Sequence, residues 1–233
     1  MSIRSPTPTA LSWSGGKDSA LALHALLTDP AVEVRGLLTT ITDAYDRVSM
    51  HGVRRVLVAA QAEAVGVRLW VVNIPSAATN EQYERAMLEG FASMHDAGIE
   101  AIAFGDLFLE DVRAYRERLV ARSGLRPTFP LWGKSTADLA RQFTACGFKA
   151  VVVCVDPRQI DVSHCGSEFD GALLRALPST ADPCGENGEF HTFVYDGPMF
   201  GSPIETQRGV IVERDGFVFC DLLPSDSTGA SSL

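Results

Sequence analysis

Paired cysteines are missing from this sequence. None of its five cysteines (Cys146, Cys154, Cys165, Cys184 and Cys220) belongs to a C-x-x-C pair, and the odd count and wide spacing argue against a disulfide framework. A reducing, cytoplasmic setting is the expectation. His164, Cys165, Cys184 and His191 match no standard zinc spacing. No apolar run approaches the ~18 residues of a membrane span. The stretch Met1 to Thr9 lacks an apolar leader core, so neither a membrane nor secretion is expected. Basic charge is scarce as well. Lys and Arg number 20 against 29 Asp and Glu, a net charge of −9. Such a surface repels phosphate backbones and makes nucleic acid an unfavoured partner. There is no internal repeat.

What is present is an ordinary globular composition, 46% hydrophobic and 21% charged over 233 residues, enough to bury a full core. Strand and helix patterns alternate. Strands are predicted at Thr9–Trp13, Val32–Thr40, Arg68–Ile74 and Ile99–Phe104. Helices are predicted at Lys17–Thr28, Val53–Val65, from a cap at Asn80 through His95, at Asp111–Arg122 and at Ser135–Cys146. Lys149–Val155 is apolar at nearly every position, which predicts a strand covered on both faces, as in a parallel sheet. Alternation of this kind implies βαβ units and an open parallel sheet with helices on both faces. Ligands then bind beyond the carboxyl ends of the strands, where the loops after Trp13, Thr40, Ile74 and Phe104 would converge. Beyond Asp156 prolines and glycines break the pattern. The expected division is residues 1–156, a smaller α+β part at 157–224 with strands flanking the Asp215-Gly216 turn, and a disordered tail at 225–233.

The densest chemistry follows the first strand: Ser14-Gly15-Gly16-Lys17-Asp18-Ser19. Two glycines let the backbone turn tightly and bring N–H groups near an anion. The helix N-terminus adds unpaired N–H groups and partial positive charge. Ser14 and Ser19 add hydroxyls, Lys17 a cation, and Asp18 a ligand for magnesium (Mg2+). The Walker A pattern is excluded, because Leu11 stands where its first glycine belongs and Asp18 where its Ser/Thr belongs. A second cluster, Gly105-Asp106-Leu107-Phe108-Leu109-Glu110-Asp111-Val112-Arg113, opens at the end of a strand, with Arg113 and Glu117 sharing a helix face. Trp132, in Pro130-Leu131-Trp132-Gly133, is a candidate pocket wall. In a third cluster, Cys184-Gly185-Glu186-Asn187-Gly188-Glu189-Phe190-His191-Thr192-Phe193, glycines frame carboxylates, an amide, an imidazole and a hydroxyl able to orient an amine or take up a proton. Thr39, at the end of the second strand, and His51, before the next helix, are placed to reach a nucleotide.

The first of these segments resembles the PP-loop of the N-type ATP pyrophosphatase superfamily. All four ordered blocks (SGGKDS, GDLFLEDVR with YRER after it, PLWG, and GENGEFHTFV) resemble the diphthine–ammonia ligase family and its adenine nucleotide alpha hydrolase-like bacterial relatives. The likeness runs from about Leu11 to Leu222. It departs from the family at Gly166-Ser167, where a Gly-Arg step is expected. The resemblance implies a Rossmann-like (HUP-type) α/β fold and cleavage of ATP between its α- and β-phosphates. A carboxylate would be adenylated, pyrophosphate released, and an amide formed with ammonia or an amine. It implies ATP and Mg2+ as cofactors, and a small-molecule or protein-borne carboxylate acceptor as partner; a homodimer is left open. The residues carried over as catalytic are Lys17, Asp18, Glu186, Glu189 and His191. Ser14, Gly15, Gly16, Ser19, Thr39, His51, Gly105 and Asp106 would join Lys17 and Asp18 in holding the nucleotide. Glu110, Arg113, Trp132, Gly185, Asn187, Gly188 and Thr192 would contact the acceptor. Two other readings stay open: an RNA-modifying, thiolation-type enzyme, and a nucleotide-binding sensor without turnover.

Overall fold

The computed structural model describes residues 5–225; the expected tail, apart from Ser225, lies outside the described residues. The first half alternates as its periodicity dictates: β1 (Thr7–Ser12), α1 (Lys17–Leu27), β2 (Val32–Thr42), β3 (Arg47–Val48), α2 (Arg55–Val65), β4 (Arg68–Ile74), α3 (Asn80–Asp96), β5 (Ala101–Ala103), α4 (Glu110–Val120) and β6 (Arg126–Thr128). Strands β4, β2, β1, β5 and β6 lie side by side and pair in parallel. The two-residue β3 pairs antiparallel with Ile41 and Thr42, past the point where β1 ends opposite Leu38. β3 and the residues just after it therefore fold back over the carboxyl end of β1, with the Ser49 amide bonded to the Thr40 carbonyl.

Apolar side chains cover both faces of this sheet. Leu11 and Leu37 pack with Leu23 of α1 and Leu57 of α2 on one face. Ala10, Leu38 and Val72 pack with Phe91 of α3 and Leu119 of α4 on the other. One cap differs from expectation. Thr79, not Asn80, caps α3, because Thr79 and Gln82 form a reciprocal capping box.

After α5 (Thr136–Ala145) comes β7 (Lys149–Val155), followed by α6 (Gly171–Ala176), β8 (Phe190–Asp196), β9 (Thr206–Arg214) and β10 (Phe217–Pro224). The valine strand does not extend the parallel sheet. It is an inner strand of a second sheet, ordered β8-β7-β10-β9, whose pairs are all antiparallel. Its apolar run is explained by burial: Ala150 to Val155 are all buried. β9 and β10 meet at Asp215 and Gly216, both at positive φ (54° and 80°), as a tight two-residue hairpin requires. The second sheet packs against the α1 side of the first, with Phe193, Val152 and Leu222 in the same core as Leu11 and Trp13. That packing sets β8 beside the loop between β1 and α1.

Candidate active site

The loop Ser14–Ser19 leaves the carboxyl end of β1 and enters α1 through Gly16, which stands at the helix N-cap without a side-chain cap. Main-chain N–H groups at this end thus face a cavity of about 430 Å³ between the two sheets. Three contacts hold the loop in shape. Gly15 stands at φ 81°, and its carbonyl accepts from the Val194 amide at 2.9 Å. The Gln61 side-chain amide donates to Gly15 O at 3.1 Å and to Val194 O at 2.6 Å, while its oxygen accepts from the Trp13 indole at 2.8 Å. Thr192 accepts from the Lys17 amide at 3.0 Å. On the far side, Gly105 brings the β5 end against the loop. A Cβ there would lie 3.1 Å from the Asp18 carbonyl and 3.2 Å from the Ser19 nitrogen.

Lys17 is buried. Its ammonium donates to Asp18 at 2.8 Å and to the Cys184 carbonyl, and it lies over the Phe190 ring at 5.3 Å. Burial pulls its pKa down, but the surrounding negative charge, that of Asp18 above all, outweighs burial and holds it above the ordinary value. It is charged at neutral pH. Burial in turn lifts the Asp18 carboxyl above its usual range in spite of Lys17. The second Asp18 oxygen, Oδ1, is buried without a partner. Glu186 accepts from the Leu107 amide at 3.1 Å, and burial pushes its carboxyl up to about 7. The His51 and His191 rings lie against each other at a tilt of 35°, with centroids 4.4 Å apart; burial holds both well below their ordinary range, His191 at about 4. Both imidazoles are neutral at pH 7. Arg116 pairs with Asp106 at 2.5 Å and lies over the Phe104 ring at 4.7 Å.

The cavity brings together Ser14, Gly16, Lys17, Asp18, Ser19, His51, Gly105, Asp106, Gly185, Glu186, Gly188, His191 and Thr192. The other sequence-derived candidates lie off its lining. Gly15 shapes the loop from behind. Thr39 is buried on the opposite side of β2 from Leu38 and Thr40, which do line the cavity, because strand side chains alternate. Glu110 is exposed in the first turn of α4, where its charge complements the helix dipole. Arg113 bonds Glu117 at 2.8 Å and lies over Phe129 and Trp132, so Arg113 and Trp132 form a separate cluster. Glu189 is buried and accepts from the amides of Asp182 (2.7 Å) and Asn187 (3.0 Å) and from the Asn187 side chain (3.1 Å). Both residues therefore tie the 182–189 turn together. Conversely, Thr40, Ser49, Met50, Tyr83 and Arg116 line the cavity without having been singled out. Arg116 carried a signal, since Val112, Arg116, Leu119 and Val120 share the inward stripe of α4.

Fold and cavity together define a Rossmann-like α/β protein whose main cavity is built on an anion-cradle loop at the carboxyl end of its first strand. The family model described as diphthamide synthase N-terminal domain matches residues 7–127, and that described as diphthamide synthase C-terminal domain matches residues 135–220. The chain belongs to the diphthamide synthase family. It is 30% identical to the diphthine–ammonia ligase of Rattus norvegicus over 126 residues, 51% of this chain and 47% of that protein. The enzyme of the same name from Danio rerio is 24% identical over 238 residues, covering 88% of this chain and 89% of the other. The alignments thus span about half the length of the mammalian relatives and most of the fish protein. A predicted subunit of tRNA methyltransferase from Methanocaldococcus jannaschii superposes with a TM-score of 0.41 at 15% identity, covering 63% of this chain and 80% of that one. No helix among the described residues is long and apolar enough to cross a membrane.

Proposed function

We propose that this chain is an ATP-dependent ligase that adenylates a carboxylate, releases pyrophosphate, and forms an amide with ammonia or an amine, as the names of its relatives suggest. One observation carries the reading. A single cavity unites the open N-terminus of α1 and the charged Lys17 with a carboxyl, Glu186, that titrates near neutrality. The amides of the loop and Lys17 suit the β- and γ-phosphates, where charge gathers as pyrophosphate departs. Asp18, whose Oδ1 is buried and unpartnered, would hold Mg2+, which would supply neutralisation of phosphate charge. Glu186 would take the proton that the attacking nitrogen must lose. A thiolation reading is not favoured: burial pushes Cys154, Cys165 and Cys184 up to about 12, so all three stay as unreactive thiols. The experiment is exchange of labelled pyrophosphate into ATP. It should require an acceptor carboxylate but no ammonia; ADP formation without any exchange would overturn the reading.

Glu186→Gln should keep pyrophosphate exchange but lower amide formation by about 10²- to 10⁴-fold. The wild-type rate should rise through pH 7 as Glu186 loses its proton, and the variant should lack that rise. Stability supplies an independent readout. Because the folded carboxyl titrates near 7 rather than near the ordinary 4.5, folded protein binds the extra proton in that window, and wild-type stability from this group falls as pH rises through it. Glu186→Gln should therefore raise Tm at pH 8 and leave it unchanged at pH 4, as thermal unfolding would show. Gly105→Ala would press a methyl against main chain that has nowhere to go. It should cost about 1–3 kcal/mol of stability and weaken ATP binding in calorimetry, leaving Glu186 titration intact.

A further inference from the structure

A second cavity, about 220 Å³, opens beside the first and shares Val48, Ser49, Met50 and His191 with it. Its walls come from both halves of the fold: the stretch from the end of β2 to the start of α2, with Tyr45 and Met50, and the β9–β10 hairpin, with Arg214, Phe217 and Phe219. Gly52, at φ 69°, lets the first wall close on the second, since a Cβ there would lie 2.9 Å from the Phe219 ring. Tyr45 and Met50 are exposed at the rim, 52% and 71% accessible, a costly position for large apolar side chains unless something covers them. Met50 also stands at φ 67°, a conformation that a non-glycine residue seldom adopts and that clusters at ligand sites.

Two arginines, Arg47 and Arg214, and one acid, Asp215, line this cleft. Arg47 and Arg54 are both bound to Asp221, at 2.8 and 2.6 Å, and Arg158 is bound to Asp156 at 2.8 Å. Arg214 forms no ion pair among the described residues, not even with the neighbouring Asp215, which also borders the cleft. Instead its guanidinium lies over the rings of Tyr45 and Phe219, at 4.8 and 5.0 Å. Stacking fixes the plane of the fork and leaves its N–H edge available to an oxyanion.

We propose that this cleft is the acceptor subsite, and that it takes a small organic acid with a flat apolar body. One anionic group of that acid would sit on Arg214, and a second carboxylate would reach past His191 toward the main cavity. The inference rests on reading the main cavity as the nucleotide site. A small body fits because the space is about half that of the main cavity and walled on both sides. A flat one fits because Phe217, Phe219 and Tyr45 supply the lining.

Calorimetric titration with phenylsuccinate, and with 3-phenylpropionate as the analogue lacking the second carboxylate, tests this on the full chain. Phenylsuccinate should bind the wild type at least tenfold more tightly than 3-phenylpropionate, and Arg214→Leu should weaken both acids at least tenfold, since each places a carboxylate on Arg214. Phe219→Ala should weaken both acids. Arg214→Leu should leave ATP binding unchanged. Absence of phenylsuccinate binding, equal binding to Arg214→Leu, or displacement of phenylsuccinate by ATP would overturn the proposal. Binding only of a carboxylate-bearing peptide would overturn it too, in favour of a protein-borne acceptor. If phenylsuccinate binding depends on Arg214 while ATP does not bind at all, the nucleotide reading fails, and the cleft stands as an organic-acid site without its acceptor role.

Discussion

Lys17→Met is expected to lower carboxylate-dependent pyrophosphate release by about 10³-fold or more, the scale on which a positioned cation or donor acts on departing phosphate charge. Methionine keeps the aliphatic volume against Phe169 and Phe190 but removes the charge. The loss is local. Asp18 and the Cys184 carbonyl lose their common partner, and the Asp18 carboxyl, already lifted by burial, rises further without the ammonium that held it down. Its affinity for Mg2+ falls with its charge. Arginine should not rescue, because a forked guanidinium does not fit the enclosed space that one ammonium fills between two rings and a carbonyl. Steady-state assays of pyrophosphate release decide the matter: a Lys17→Met enzyme keeping more than a tenth of wild-type rate would remove Lys17 from the chemistry.

The second large effect lies behind the loop. Gln61→Leu is expected to cost about 3 kcal/mol or more of stability, since leucine leaves the Trp13 indole N–H and the Val194 carbonyl without partners in a fully buried position. For a chain of this size that corresponds to about 6–12 °C in Tm. Gly15 O keeps its bond from Val194 N but loses the one from Gln61, so the loop loosens and ATP affinity should drop alongside. Gln61→Glu keeps an acceptor for Trp13 while losing both donors. It should be destabilised as well, and increasingly so at higher pH as its buried carboxyl is forced to ionise. Denaturant titration measures both; a Gln61→Leu variant within 1 kcal/mol of wild type would contradict the claim that this side chain bolts the loop to β8.

Much of this site was legible because local chemistry specified it. A Gly-Gly turn between an apolar strand and an amphipathic helix can do little but present N–H groups at the helix start. Asp215-Gly216 between two apolar runs likewise specified its hairpin. What escaped was set by distant packing. The uniform run of β7 reports burial on both faces and says nothing about the direction of its neighbours, so its place in an antiparallel sheet could not be read from it. β3 and β6, with two and three residues, are too short to leave a period. Glu186 and Glu189 are chemically alike and three residues apart. Only the turn that Glu189 ties sends one into the cavity and the other into the protein. Gln61 did leave a trace, as the lone polar side chain on the inner stripe of α2, four residues after Leu57.

The bond at which ATP is cut separates an adenylating ligase from an ATPase. ³¹P NMR of the nucleotide products, with ammonium and an acid that supports turnover, reads this directly. AMP and pyrophosphate in equal amounts, both lost in Lys17→Met, are the predicted result; ADP and inorganic phosphate as the only products would contradict it.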